Sequence, residues 1–225
     1  MIKINLKPVE WLKILVLILV FAAGSTASYQ ILKPKPRLPI FNPTDLNPAV
    51  VDDDLERVGR GHRIGDFQLT DQWGNAVDSS LLSGKIYVAD FFFTTCPSIC
   101  IDMGKNFQKI QAAYQDEPRV NLVSHTVMPE IDSVAVMHAY GQRMGAIQGK
   151  WHLLTGEKRE LYRLARRQYF AVMEEGSSFD EHDFIHTENV ILIDENKRIR
   201  GFYDGTDDLQ MTQLITDIQV LLDNH

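Results

Sequence analysis

Two cysteines, Cys96 and Cys100, stand four residues apart. They close the run Phe91-Phe92-Phe93-Thr94-Thr95-Cys96-Pro97-Ser98-Ile99-Cys100, in which an aromatic strand-like segment meets a proline. Proline fits the first turn of a helix, where its missing N–H would be unpaired anyway, so the pattern predicts a helix starting near Pro97 or Ser98. Cys96 then lies at the positive end of the helix dipole, which favours thiolate over thiol. Cys100 follows one turn later on the same helix face. Two sulfurs aimed at one spot can close a disulfide, hold a soft metal ion, or act as attacking and resolving thiols. The pair alone leaves these open. A lone pair is too small for a disulfide scaffold.

Other titratable groups fall into place around that pair. Asp90 lies inside the apolar run before the cysteines. Buried there, it would have a perturbed pKa and could assist thiol chemistry; turned outward, it would be an ordinary hydrogen-bonded carboxylate. Of seven histidines, His125 falls in a predicted strand and reads as a hydrogen-bonded core residue. His138 reads as helix surface and His152 as strand edge. His62 and His225 carry no signal. His182 and His186 are four apart in a stretch that reads as loop; His182 reads as solvent-exposed, with an alternate metal ligand as its other reading.

These residues need a scaffold. Residues 67–70 alternate apolar and polar and lead into the turn Asp71-Gln72-Trp73-Gly74-Asn75, a hairpin signature. Residues 86–93 and 120–127 read as strands buried on both faces, and residues 151–154 as a third. Met103, Phe107, Ile110 and Tyr114 recur at helical spacing, as do Val134, Met137 and Tyr140. Helices are predicted over 133–144, 157–168 and 209–222, and a hairpin over 190–203. Strands alternating with helices predict parallel strands with right-handed crossovers, and the late hairpin makes the sheet mixed. This is an α/β, thioredoxin-like layout: a mixed sheet flanked by helices, with a cysteine pair after the first long strand.

Charge is unevenly spread. Residues 1–40 carry six basic residues against Glu10, a local +5, so the remainder of the −7 chain is −12. That acidity argues against a nucleic-acid partner. Residues 12–23 are apolar apart from Lys13, a small, weakly polar stretch follows over 24–28, and Lys3, Lys7 and Lys13 lie toward the N-terminus. Basic flanks keep that end in the cytoplasm and send the rest across. The segment reads as an uncleaved transmembrane anchor with Trp11 and Tyr29 at the interfaces; the other reading is a signal peptide cleaved near Ser25-Thr26-Ala27. The organisation expected is a cytoplasmic basic tail (1–11), an anchor or signal peptide (12–29), a proline-rich linker (30–59) and one domain (60–225). The linker is expected to act as a semi-rigid spacer, with a strap on the domain surface as the other reading. In a bacterial cell the domain would stand in the periplasm, tethered by a single pass through the inner membrane. A cysteine pair there can be oxidised or metallated.

The chain resembles the SCO/SenC family, membrane-anchored thioredoxin-like proteins of cytochrome c oxidase assembly. The resemblance runs from about residue 62 to 222. It is carried by Ile64-Gly65-Asp66-Phe67-Gln68-Leu69-Thr70-Asp71-Gln72-Trp73-Gly74, by the cysteine run, and by Asp183-Phe184-Ile185-His186-Thr187. It implies a copper site made of Cys96, Cys100 and His186, and a recipient in the copper-site subunit of the oxidase. Two thiolates and an imidazole suit Cu(I), with Cu(II) tolerable, whereas zinc wants a fourth ligand. A periplasmic thiol–disulfide reductase working through Cys96 and Cys100 is the alternative. A peroxidase reading lacks an activating arginine near Cys96 in sequence. Two departures stand out. Met128 replaces the aspartate of the family's Asp-Pro, reading as packing rather than as a thioether ligand, and Ile185 replaces an aspartate before the histidine.

Overall fold

The computed structural model describes residues 8–33, 36–46, 61–171 and 188–224. His182, His186 and their neighbours, the expected basic tail up to residue 7, and His225 lie outside them. The chain divides into two units, Met1–Pro36 and Arg37–His225.

In the first unit, α1 (Pro8–Leu32) contains the apolar stretch. Its segment Trp11–Tyr29 has a mean hydropathy of 1.8 over 19 residues, long and apolar enough to cross a membrane. The Thr26 hydroxyl donates to the Ala22 and Ala23 carbonyls, both at 2.9 Å, so its polar group is satisfied within the helix.

The second unit holds seven strands: β1 (Gln68–Asp71), β2 (Ala76–Asp78), β3 (Ile86–Phe92), β4 (Val120–Thr126), β5 (Trp151–Thr155), β6 (Asn189–Ile193) and β7 (Ile199–Asp204). They form one sheet in the order β2-β1-β5-β4-β3-β6-β7. β3, β4 and β5 run parallel, and β1, β2, β6 and β7 pair antiparallel. Every residue of β3, β4 and β5 is buried, which requires cover on both faces. One face carries α2 (Ile99–Ala113) and α3 (Val134–Arg143). Phe107 of α2 packs on Trp151 at 5.4 Å between ring centroids, and Tyr140 of α3 on Phe92 at 5.2 Å. The closing helix α5 (Asp208–Asp223) is capped by Asp207, which accepts from the Leu209 and Gln210 N–H groups. Tyr114, at the end of α2, donates to the Ile215 carbonyl of α5 at 2.6 Å. The opposite face is covered by α4 (Lys158–Arg163), which runs on into a π-helical turn at Leu164–Gln168. Tyr169 follows it and touches Phe91 at 5.6 Å.

Of the two readings of the proline-rich stretch, the strap describes residues 38–46. Phe41 bridges to Ile199 of the edge strand β7 and sets its ring edge-on to Phe202 at 5.5 Å. The Arg200 guanidinium donates to the Leu38 and Pro39 carbonyls at 2.6 and 2.7 Å. Covering β7 in this way blunts an exposed sheet edge.

Candidate metal centre

The cysteines sit just past the C-terminal end of β3. Both are free thiols and both are buried. The expected helix start is corrected here: α2 begins at Ile99, and Cys96 lies in the turn before it. Proline holds the residue before it out of the helical region, so the helix cannot start ahead of Pro97. The two sulfurs therefore do not share a helix face. They are brought together by the turn, whose Ser98 and Cys100 backbone N–H groups point at the Cys96 sulfur.

That arrangement splits the pair. Burial pushes the Cys96 thiol up, but hydrogen bonds from the Ser98 and Cys100 backbone and from the Cys100 and Ser98 side chains outweigh it and leave the thiol below its ordinary value. Cys100 is pushed well up, first by burial and then by the neighbouring Cys96 and Asp90. Cys96 is the thiolate of the pair and Cys100 the proton-holding partner.

Asp90 is buried, on the β3 position that pairs with Ser124 of β4. Trp151 donates its indole N–H to the Ser124 oxygen at 2.9 Å, and Ser124 in turn bonds the Asp90 carboxyl. Burial still lifts that carboxyl to about 7. The buried reading of Asp90 therefore holds, and once ionised, above about 7, it adds to what raises Cys100.

The turn carrying Cys96 is held by a residue that sequence reading missed. Asp132 is fully buried and accepts from the Thr94 N–H (3.2 and 3.3 Å), the Thr94 hydroxyl (2.5 Å) and the Thr126 hydroxyl (2.5 Å). It ties the segment two residues ahead of Cys96 to the end of β4. The signal for it was an acid between a buried strand and a helix start, which looks like any residue near a cap.

The histidines divide. His125 is a core residue as expected, but neither ring nitrogen has a hydrogen bond of normal geometry. Its ring lies in an aromatic cage, stacked on Phe91 at 5.0 Å and beside Tyr169 at 5.3 Å. Burial pushes it down to about 4, against a pull from the Asp90 backbone. His152 is not at a strand edge: β5 is flanked by β4 and β1, and the ring is buried. His62 is buried too, its Nε2 2.7 Å from the Gln168 carbonyl. His138 lies on α3, 3.1 Å from the Gln142 amide. Met128 packs against the core. Among the described residues, no three His, Cys, Asp or Glu side chains gather as a metal ion requires.

The SCO1/SenC family model matches residues 56–223. The chain belongs to the SCO1/SenC family. It is 24% identical to the SCO1 protein homolog of Bacillus subtilis over 160 residues, 70% of this chain and 82% of the relative. Among solved structures it is similar to a SCO1/SenC family lipoprotein from Bacillus anthracis, with a TM-score of 0.64 and 27% identity over 72% of this chain and 96% of that one. It is also similar to Bradyrhizobium japonicum ScoI, whose structure was solved with copper bound, with a TM-score of 0.57 and 25% identity over 72% of this chain and 99% of that one. A SCO1/SenC domain with a thioredoxin-like mixed sheet is thus established, with its cysteine pair just past the end of β3.

Proposed function

We propose that this chain is a copper-binding assembly factor, taking copper through Cys96, Cys100 and His186 and delivering it to the dinuclear copper site of a cytochrome c oxidase subunit. The observation that carries the reading is the polarised pair of free thiols. A turn aims two backbone N–H groups at one sulfur, which holds a thiolate ready for a soft ion. Family membership and the copper-bound relative support the cargo. Copper is the substrate here, and His186 supplies the third ligand that the two sulfurs need. α1 anchors the chain in the inner membrane by a single pass, with the domain in the periplasm.

The split between the two thiols favours a second role on the same residues. The Cys96 thiolate would attack a target disulfide, forming a mixed disulfide and releasing one target thiolate. Cys100, giving up its proton, would then attack Cys96, releasing the second target thiolate and leaving Cys96–Cys100 oxidised. A thiol reductant would return the two electrons.

The test is anaerobic Cu(I) titration of the full chain in detergent. One Cu(I) per chain is expected, with sharp loss of affinity in His186→Ala and in either Cys→Ser variant. Unchanged affinity in His186→Ala, with full disulfide reductase activity, would replace the copper reading by the second one.

A further inference from the structure

In the second unit, six large apolar side chains stand exposed among the described residues. Three of them, Ile101 (39%), Ile131 (46%) and Val136 (39%), sit on the two segments that frame the cysteines. Ile101 follows Cys100 in the first turn of α2, and its N–H donates to the Ser98 carbonyl at 3.0 Å. Ile131 precedes Asp132, whose carboxyl holds Thr94 two residues ahead of Cys96. Val136 lies in the first turn of α3, one turn before Tyr140, whose hydroxyl stands 3.4 Å from the Cys100 carbonyl. Thr95, Pro97 and Ser98 are exposed as well, whereas Cys96 is only 7% exposed. Single apolar residues are ordinary on a surface, but several gathered around a reactive pair mark a contact surface.

The charge of these segments decides what covers them. No charged residue occurs from Phe91 to Ile101, in a chain that is 24% charged. From Val127 to Val136 there are only Glu130 and Asp132. Asp132 is fully buried and taken up by the Thr94 and Thr126 donors. Glu130 pairs with Lys158 at 3.2 Å, and Asp102, behind Ile101, pairs with Lys105 at 2.7 Å. The two segments therefore offer no unpaired charge of either sign, although the domain as a whole is strongly acidic. A charged occupant would give up hydration there and gain no partner. An apolar one gains by burying the exposed side chains.

We infer, resting on the reading of Cys96 and Cys100 given above, that this surface docks an uncharged, apolar loop of a partner protein with a cysteine at its apex. Cys96 is recessed, so the partner's sulfur has to arrive on a narrow apex rather than a flat face. Ile101, Ile131 and Val136 pack against the residues on either side of that cysteine and keep water from the sulfurs. Recognition of this kind is insensitive to salt, unlike attraction between exposed charges.

The test uses the full reduced chain in lipid nanodiscs. The probes are the symmetric disulfides of capped Val-Cys-Val, Glu-Cys-Glu and Lys-Cys-Lys, and hydroxyethyl disulfide, which has no flanking residues. Two probe thiols leave for each Cys96–Cys100 disulfide formed. Each rate is divided by that of free 2-mercaptoethanol with the same disulfide, which removes the intrinsic reactivity of the probe. Val-Cys-Val should then react about tenfold faster than either charged peptide, at low and at high salt alike. An Ile131→Gln/Val136→Gln double variant, which changes no charge, should lose that preference and keep the parent's hydroxyethyl disulfide rate and Cu(I) stoichiometry. Docking is also read without exchange, from shifts of the Ile101, Ile131 and Val136 methyl signals on adding capped Val-Ser-Val. If those methyls shift while no disulfide reacts, the docking surface stands and the thiol reading beneath it fails. The inference falls if the three peptides react alike, if a charged one is preferred, or if the double variant keeps the parent's preference. Methyl shifts that follow protein concentration or lipid composition, with no response to the peptide, would assign the patch to a second copy or to the membrane and also overturn it.

Discussion

At Cys96 the decisive contacts are backbone N–H groups, which no side-chain substitution removes directly. Its thiolate should persist below the pH at which an ordinary thiol, near 9.0, titrates. Alkylation by iodoacetamide in the metal-free protein should follow one reactive thiol, half-maximal below that value, while Cys100 stays slow until far higher pH. Two equal rates rising together near 9.0 would contradict the split. Asp132 controls the same chemistry without touching sulfur. Asp132→Ala strips the buried Thr94 and Thr126 donors of their acceptor and should destabilise the domain by about 1–3 kcal/mol. It should also move the Cys96 alkylation profile toward that of a free thiol. A conservative Asp132→Glu that restores stability but not the profile would locate the effect in turn geometry.

The elements were legible to different degrees, for physical reasons. β3, β4 and β5 are buried on both faces, so they stand in the sequence as near-unbroken apolar runs. β7 alternates buried and half-buried residues, the pattern of a strand with one covered face. The π turn at Leu164–Gln168 was not legible, because its apolar spacing hardly differs from that of the helix it extends. His152 was misplaced because β1 joins the far side of β5 through a long-range register that local patterns do not encode. Cys96 and Cys100 stand out in the sequence by residue type and spacing, but the helix-face argument counts Cys96 into a helix that begins only at Ile99. The β6–β7 hairpin shows a further device hidden from sequence. Asp194, fully buried, accepts from the Asn196 and Arg198 N–H groups and from the Arg198 and Arg200 guanidinium groups, all near 2.9–3.0 Å. Through Arg200 it also fixes the strap. Asp194→Ala leaves two arginines without their buried partner and should cost about 3–5 kcal/mol in urea denaturation. Arg200→Met should cost less and should open the strap at residues 38–46 to proteolysis while the sheet stays folded. Equal losses in both variants would show that the strap has no separate stability.

Across the whole molecule, the two faces of the sheet carry buried titratable groups whose effects on stability run in opposite directions. On the face under α2 and α3, Asp90 keeps its proton up to about 7, whereas the unfolded carboxyl loses it near 3.8. Between those values folding takes up a proton, so raising pH weakens the fold, by at most about 1.4 kcal/mol per pH unit. On the face under α4, His125 stays neutral down to about 4, whereas the unfolded ring takes a proton below 6.5. Folding there releases a proton, so raising pH strengthens the fold with the same limiting slope. From about pH 4 to 6.5 the two nearly cancel. His62 and His152, both lowered by burial, add to the histidine side. Urea denaturation of the metal-free protein across that range isolates each term as a difference from the parent. Asp90→Asn should gain stability relative to the parent as pH rises, and His125→Leu should lose it. The double variant should run parallel to the parent, because two opposite slopes are removed together. If both single variants track the parent at every pH, neither group is held in the protonation state that its burial dictates, and the assignment of Asp90 as the protonated neighbour of Cys100 fails with it.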